Sequence, residues 1–178
     1  MTRLHNSPVA AATGAAAQLF GAIKSAIGMV PNGYVTLGNN SLVALEAALT
    51  LDGSVKKSSF SAKDVEVIKL AVSEAVECDY CVAAHTMSGK KLGLSREAIL
   101  GLRHGQPSGD VRNDALASFA RFLITAHGTV PADVLNAVRA AGFSDAQIAD
   151  IGMVIASITF TNIFNRINDT TLDFPAAD

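Results

Sequence analysis

Charge is scarce in this chain, cysteine scarcer still, and tryptophan absent: 17% of the 178 residues are charged and two are cysteine. A formal net charge of −2, with no lysine or arginine run, leaves no electrostatic footprint for nucleic acid and no basic surface for an anionic membrane. Two cysteines separated by two residues cannot frame a secreted fold. They are expected to act as reagents or ligands in a reducing compartment, the cytoplasm. The stretch after Arg3 holds Asn6, Pro8, Thr13, Gly14 and Gln18, a poor apolar core for a secretory signal. The most membrane-like run, Ile151 to Phe160, sits between Asp150 and Asn162. It falls far short of the roughly 20 residues a bilayer requires, so a buried core helix is expected there. No period-two alternation marks a strand.

What is present is helix. Apolar residues make up 49% of the chain, enough for one domain over residues 1–178, with about residues 1–12 as a flexible tail. So apolar and weakly charged a surface is expected to be partly hidden in a homo-oligomer. Thr13 to Ile27 reads as a helix stopped by Gly28, followed by a turn at Pro31-Asn32-Gly33 and a second helix from Asn39 to Leu51, closed before Asp52-Gly53. Ser61 and Asp64 cap a third helix running to Val76, and a fourth extends from about Cys78 to Leu92. Ser95 opens a short helix ending at His104-Gly105, Asp110 to His127 a long one, and Pro131 another that ends at Gly142. Ser144 and Gln147 form a capping box for the last helix, which reaches Asn168. The fold class is all-α, a bundle with short connections between antiparallel neighbours. Phe60-Ser61, Val65, Ile68, Leu70 and Val72 echo Phe143-Ser144, Ile148, Ile151, Met153 and Ile155 at one constant interval, suggesting two similar helix pairs.

The segment with chemistry is Glu77 to His85, E-C-D-Y-C-V-A-A-H. On a helix, Cys78, Cys81 and His85 share one face. A thiolate rather than a thiol attacks electrophiles, and the first turn of a helix favours negative sulfur through its unpaired amides and macrodipole. His85, one turn beyond Cys81, can take the thiol proton. The spacing leaves open which sulfur attacks. If the helix ending near Val76-Glu77 folds back as a hairpin, Glu66 lies about 15 Å down it at 1.5 Å per residue, within about one turn of His85. Glu66 is therefore the expected orienting carboxylate.

Other readings of the same residues are weaker. A zinc site would have only Cys78, Cys81 and His85 locally, with Glu66 or a distant residue as fourth ligand, and three ligands on one helix face suit a closed tetrahedron poorly. No metal is expected. Haem attachment needs histidine directly after the second cysteine, where Val82 stands. His104 and His127 each precede a glycine at a helix end, where a cation complements the dipole, and His5 lies in the tail. Tyr80, between the cysteines, either donates a proton to a leaving oxygen or packs. Asn162, Asn165, Arg166 and Asn168 are unusually polar after an apolar run; they could line a site, end a helix or bridge subunits.

Glu66, eleven residues, then C-x-x-C-x-x-x-H resembles the pattern of the alkylhydroperoxidase AhpD-like, carboxymuconolactone decarboxylase superfamily. Flanking segments resemble its peroxidase-related members: Gly28 to Asn32, Gly142 to Gln147, Asn162 to Arg166, and Leu172 to Pro175. The resemblance implies an all-helical AhpD-like bundle assembling as trimers or hexamers. It implies thiol-dependent reduction of hydroperoxides, with Cys81 attacking to become a sulfenic acid and Cys78 resolving it to a disulfide. Glu66 and His85 would match the proton-relay pair. No resident cofactor is implied, only an external dithiol reductant or redox adaptor protein. Some members carry histidine just before the second cysteine, where this chain has Tyr80. Decarboxylase members lack the thiol pair, so that activity is not expected.

Overall fold

A computed structural model describes residues 2–177, all of whose regular elements are helical. After a 3-10 turn at Val9–Ala11 come α1 (Gly14–Ile27), α2 (Asn32–Asn40), α3 (Leu42–Val55), α4 (Ala62–Ala75) and α5 (Asp79–Lys91). Then follow α6 (Arg96–His104), α7 (Val111–Thr125), α8 (Ala132–Ala140) and α9 (Asp145–Asn168). The central helix is α4, packed against α5, α6, α7 and α9, and its Val67, Ile68, Leu70, Ala71 and Val72 are wholly buried. A smaller core gathers Phe20, Ile23, Leu37, Leu45 and Ala48 from α1 to α3. Helix α9 joins the two parts by packing on both α3 and α4.

Local chemistry fixes most boundaries. Ser61 and Asp64 form a reciprocal capping box at α4, as do Ser144 and Gln147 at α9. Asp110 accepts from the amides of Arg112 and Asn113 at the start of α7.

Three expectations need correction. Pro31-Asn32-Gly33 is not a turn before a helix at Asn39; it opens α2, with Pro31 as N-cap. The signal that decides this lies far away, because Asp173 Oδ2 accepts the Asn32 amide at 2.7 Å and caps the helix from the C-terminal tail. Asp52-Gly53 does not close α3. Asp52 faces inward to Tyr34, Lys69 and Ser157, and the helix continues until Val55 is buried. The echo between the two halves extends to their capping boxes, but not to a second helix pair. Where α4 breaks before Cys78, α9 runs unbroken through Thr161, with no left-handed residue before Asp169.

Helix α9 is the one described helix long and apolar enough to cross a membrane. Only one side of it is core: Ile151, Val154 and Ile158 are buried while Phe160, Ile163 and Ile167 are exposed. Its buried face also carries Asn162, Asn165 and Asn168. The N-terminal stretch, expected as a tail, is hydrogen-bonded along the domain: the Arg3 and Leu4 amides donate to Asn168, and the Asn39 and Asn40 side chains to the Ser7 and His5 carbonyls.

Candidate active site

The site begins at the break between α4 and α5. Val76 ends α4, Glu77 takes the left-handed conformation with φ 55°, and the Cys78 amide reaches back to the Ser73 carbonyl while the Glu77 amide reaches Glu74. This is a Schellman closure with glutamate where glycine is usual. It sets Cys78 as the N-cap of α5 and Cys81 in its first turn.

The two sulfurs lie 2.7 Å apart, both buried and both free. They form one hydrogen-bonded pair. The hydrogen bond between the two side chains, opposed by burial, holds Cys78 below the usual thiol range, and the Cys81 backbone amide and Arg166 add to that. Cys81 is pushed up by the same hydrogen bond first, then by burial and by the Cys78 charge, while Asn165 and Lys69 pull it down. Within the pair, ionisation is therefore favoured at Cys78 over Cys81.

His85 Nδ1 meets Glu66 Oε2 at 2.7 Å, with the side chains 16% and 13% exposed. The bond fixes the ring and leaves Nε2 as the other exchanging atom. Cys81 and His85 both line a pocket of about 170 Å³ between the two cores; Cys78 does not. Ile27, Leu37, Tyr34, Phe164 and Phe174 make the pocket largely apolar and aromatic.

Polar groups are fixed within that wall. Tyr80 accepts the Gly33 amide at 3.0 Å, donates to Asp173 Oδ1 at 2.8 Å, and stacks edge-on against Phe174 at 5.4 Å. Burial, outweighing the Gly33 amide, drives its hydroxyl well above the usual phenol range, and Asp173 adds to the rise. Tyr80 thus packs and positions, with its proton committed. Lys69 Nζ lies 3.3 Å from Asp52 Oδ1, which also takes the Ser157 hydroxyl at 2.6 Å; Asp52 Oδ2 takes Tyr34 Oη at 2.7 Å. Burial would raise Asp52, but Lys69 and the two hydroxyls outweigh it and hold the carboxyl below its ordinary value.

Residues 43–119 match the carboxymuconolactone decarboxylase family. The fold is similar to the alkylhydroperoxidase AhpD core of an uncharacterized peroxidase-related protein from Ralstonia eutropha JMP134, with TM-score 0.84 and 21% identity over 97% of this chain and 92% of that one. The chain has the AhpD-like helical fold. An uncharacterized peroxidase-related protein from Silicibacter sp. TM1040 is similar at TM-score 0.79 and 23% identity, covering 92% of this chain and 88% of that one. The debrominase Bmp8, solved with 2,3,4-tribromopyrrole, is similar at TM-score 0.73 and 18% identity, covering 88% and 84%. No curated protein matches the sequence.

On this AhpD-like frame the α4–α5 hairpin pairs Cys78 with Cys81 and His85 with Glu66, and Cys81 and His85 line the same pocket. Tyr80 stands beside them. His104 reaches toward Glu74 at 3.7 Å, away from the thiols. Among the described residues, no group of three or more His, Cys, Asp and Glu side chains is arranged to hold a metal ion. Sequence reasoning missed Lys69, Asp52 and Tyr34. The available signal was a lysine on the same helix as Glu66, one turn along, in a helix otherwise apolar at its centre. Asn165 had been noticed only as a polar residue late in an apolar helix. Its amide in fact donates to Cys81 Sγ at 3.4 Å.

Proposed function

We propose that the chain is a dithiol-dependent peroxidase that reduces small organic hydroperoxides with the Cys78–Cys81 pair. The observation that supports this most is the pairing of adjacent sulfurs with a pocket that only Cys81 faces, beside an imidazole held by a carboxylate. In the cycle, a proton moves from Cys81 to Cys78, and the Cys81 thiolate attacks the terminal peroxide oxygen. The S–O bond forms, the O–O bond breaks, and the alkoxide takes a proton from the His85–Glu66 pair to leave as alcohol. Cys78 sulfur then attacks the sulfenic acid, the S–S bond forms, and hydroxide departs with the Cys78 proton as water. An external dithiol or redox adaptor protein returns the pair to thiols by exchange, so the cycle uses no resident cofactor. The reading places this chemistry in the cytoplasm and takes the exposed Phe160–Ile163–Ile167 strip as a subunit contact in a homo-oligomer.

The test is peroxide consumption with dithiothreitol by wild type, Cys78→Ser and Cys81→Ser. Wild type should lose two thiols per equivalent of cumene hydroperoxide, and Cys81→Ser should lose turnover. Unchanged turnover in Cys81→Ser would sink the mechanism.

The likeness to a debrominase, together with the aromatic pocket wall, favours a second reading on the same residues. There the pair supplies two electrons and two protons to a halogenated arene, giving the disulfide, the arene with hydrogen in place of bromine, and hydrogen bromide. Bromide release from a bromopyrrole, without peroxide consumption, would select it. Rapid exchange with small disulfides in the absence of both activities would point instead to a redox sensor.

A further inference from the structure

The charge balance of the thiol pair poses a question that the AhpD-like pattern does not answer. The hydrogen bond to the Cys81 side chain, opposed by burial and helped by the Cys81 backbone amide, favours ionisation at Cys78, yet the pocket opens on Cys81. Some group must favour charge on Cys81 if that sulfur is to attack. Besides Cys78, the side chain hydrogen-bonded to it is Asn165, an amide from α9, and the direction of that bond is fixed by a chain of partners.

That chain starts at a group that can only donate. The Leu4 backbone N–H gives its proton to Asn168 Oδ1 at 3.0 Å. With its oxygen so committed, Asn168 turns Nδ2 to Thr170 Oγ1 at 2.8 Å. Thr170 accepts there, so its own hydroxyl proton is free to be given to Asn165 Oδ1, again at 2.8 Å. Asn165 must then present Nδ2 to Cys81 Sγ. A flipped Asn165 would leave the Thr170 hydroxyl facing two amide donors with no acceptor for its proton. All three side chains are buried. The backbone adds a clamp, since the Thr170 amide bonds the Asn165 carbonyl at 3.1 Å. The facing wall leaves no slack: a Cβ added at Gly33 would lie 2.7 Å from Asn165 Oδ1.

We propose that Asn165 is a catalytic residue whose amide N–H stabilises negative charge on Cys81, first as thiolate and then as sulfenate, with Thr170 and Asn168 as positioning residues. A hydrogen bond from a buried neutral donor to an anion is stronger than one to a thiol, so the contact tightens as charge arrives on Cys81. Asn165 thereby offsets the preference for charge on Cys78 and assigns the attack to the sulfur that substrate can reach. The direction of its effect on Cys81 ionisation agrees with this role.

The proposal rests on the Cys81-attack reading, but its test uses no peroxide, so the two fail separately. In Cys78→Ser protein only the Cys81 thiol remains. Its ionisation is followed by thiolate absorbance and by the pH dependence of iodoacetamide alkylation. Adding Asn165→Leu should raise the Cys81 midpoint by about one unit, slowing alkylation at pH 7 about tenfold. Thr170→Val, which leaves Asn165 in place but removes the hydroxyl that orients it, should shift the midpoint the same way by less. This second variant keeps the test decisive if Asn165→Leu fails to fold. In protein with both cysteines, mass mapping should show alkylation moving from Cys81 toward Cys78 when Asn165 is replaced. An unchanged Cys81 profile in the folded Asn165→Leu or Thr170→Val protein overturns the proposal, whatever the protein does with hydroperoxides.

Discussion

Lys69 and Asp52 meet at 3.3 Å in the wall of the pocket that Cys81 faces, and the carboxylate is held from behind by Ser157 and Tyr34. The pair ties α3 to α4, Ser157 ties both to α9 and Tyr34 adds α2, so one carboxylate joins four helices at the pocket.

The first prediction concerns acid stability. Asp52 has a depressed ionisation in the folded protein. As pH falls, the unfolded chain takes up this proton first, so the folded state loses stability relative to it. The contribution of Asp52 is complete above its ordinary value, about pH 4, and is lost as pH drops through the lower folded value. Asp52→Asn should therefore be less stable than wild type in urea at pH 7, with the gap narrowing at pH 3. A gap that widens on acidification would contradict the assignment.

Glu66→Gln keeps the size of the side chain but removes the carboxylate from His85 Nδ1. Hydroperoxide turnover is expected to fall about 100-fold, the usual scale for losing a positioned acid–base pair. His85→Gln should cost a similar factor, and the double variant little more than either, because the two act as a unit. Steady-state kinetics of the three proteins checks this.

Tyr80→Phe should separate packing from proton transfer. Loss of the hydroxyl leaves the Gly33 amide and Asp173 Oδ1 without their partner, a cost of about 1–3 kcal/mol seen in denaturant melts. Turnover measured well below the melting temperature should change by less than about tenfold, since that hydroxyl does not serve the relay. A loss matching Glu66→Gln would show that Tyr80 moves a proton after all.

Glu77 holds a left-handed backbone at the Schellman closure before Cys78. Glu77→Gly should relieve roughly 1 kcal/mol of strain, partly offset by greater freedom of the unfolded chain. The melting temperature should rise or hold while turnover is unchanged. A falling melting temperature would mean the glutamate side chain contributes something its backbone geometry does not reveal.

The part of the site legible in sequence is the part built within one hairpin. Glu66 and His85 could be brought together by counting 1.5 Å per residue back from Glu77, and the two capping boxes needed only a Ser and its partner three residues on. What escaped was built across the fold. Asp173 caps α2 from 141 residues away, so Pro31-Asn32-Gly33 read as a turn. Asp52 looked like a helix stop because its partners, Tyr34, Lys69 and Ser157, lie on three other helices. Asn165 meets Cys81 across 84 residues, and no spacing rule reaches that far. The AhpD-like resemblance pointed to the thiol pair, while the surroundings that bear on its ionisation became visible only in three dimensions.

The contribution of Asn165, Asp173 and Phe174 to a pocket founded on α4 and α5 has a consequence for synthesis. A chain growing on the ribosome holds Glu66, both thiols and His85 eighty residues before Asn165 is added. Until the last helix and the segment after it dock, Cys81 lacks its amide donor and the chamber lacks a wall. The thiol pair is thus made early and enclosed late.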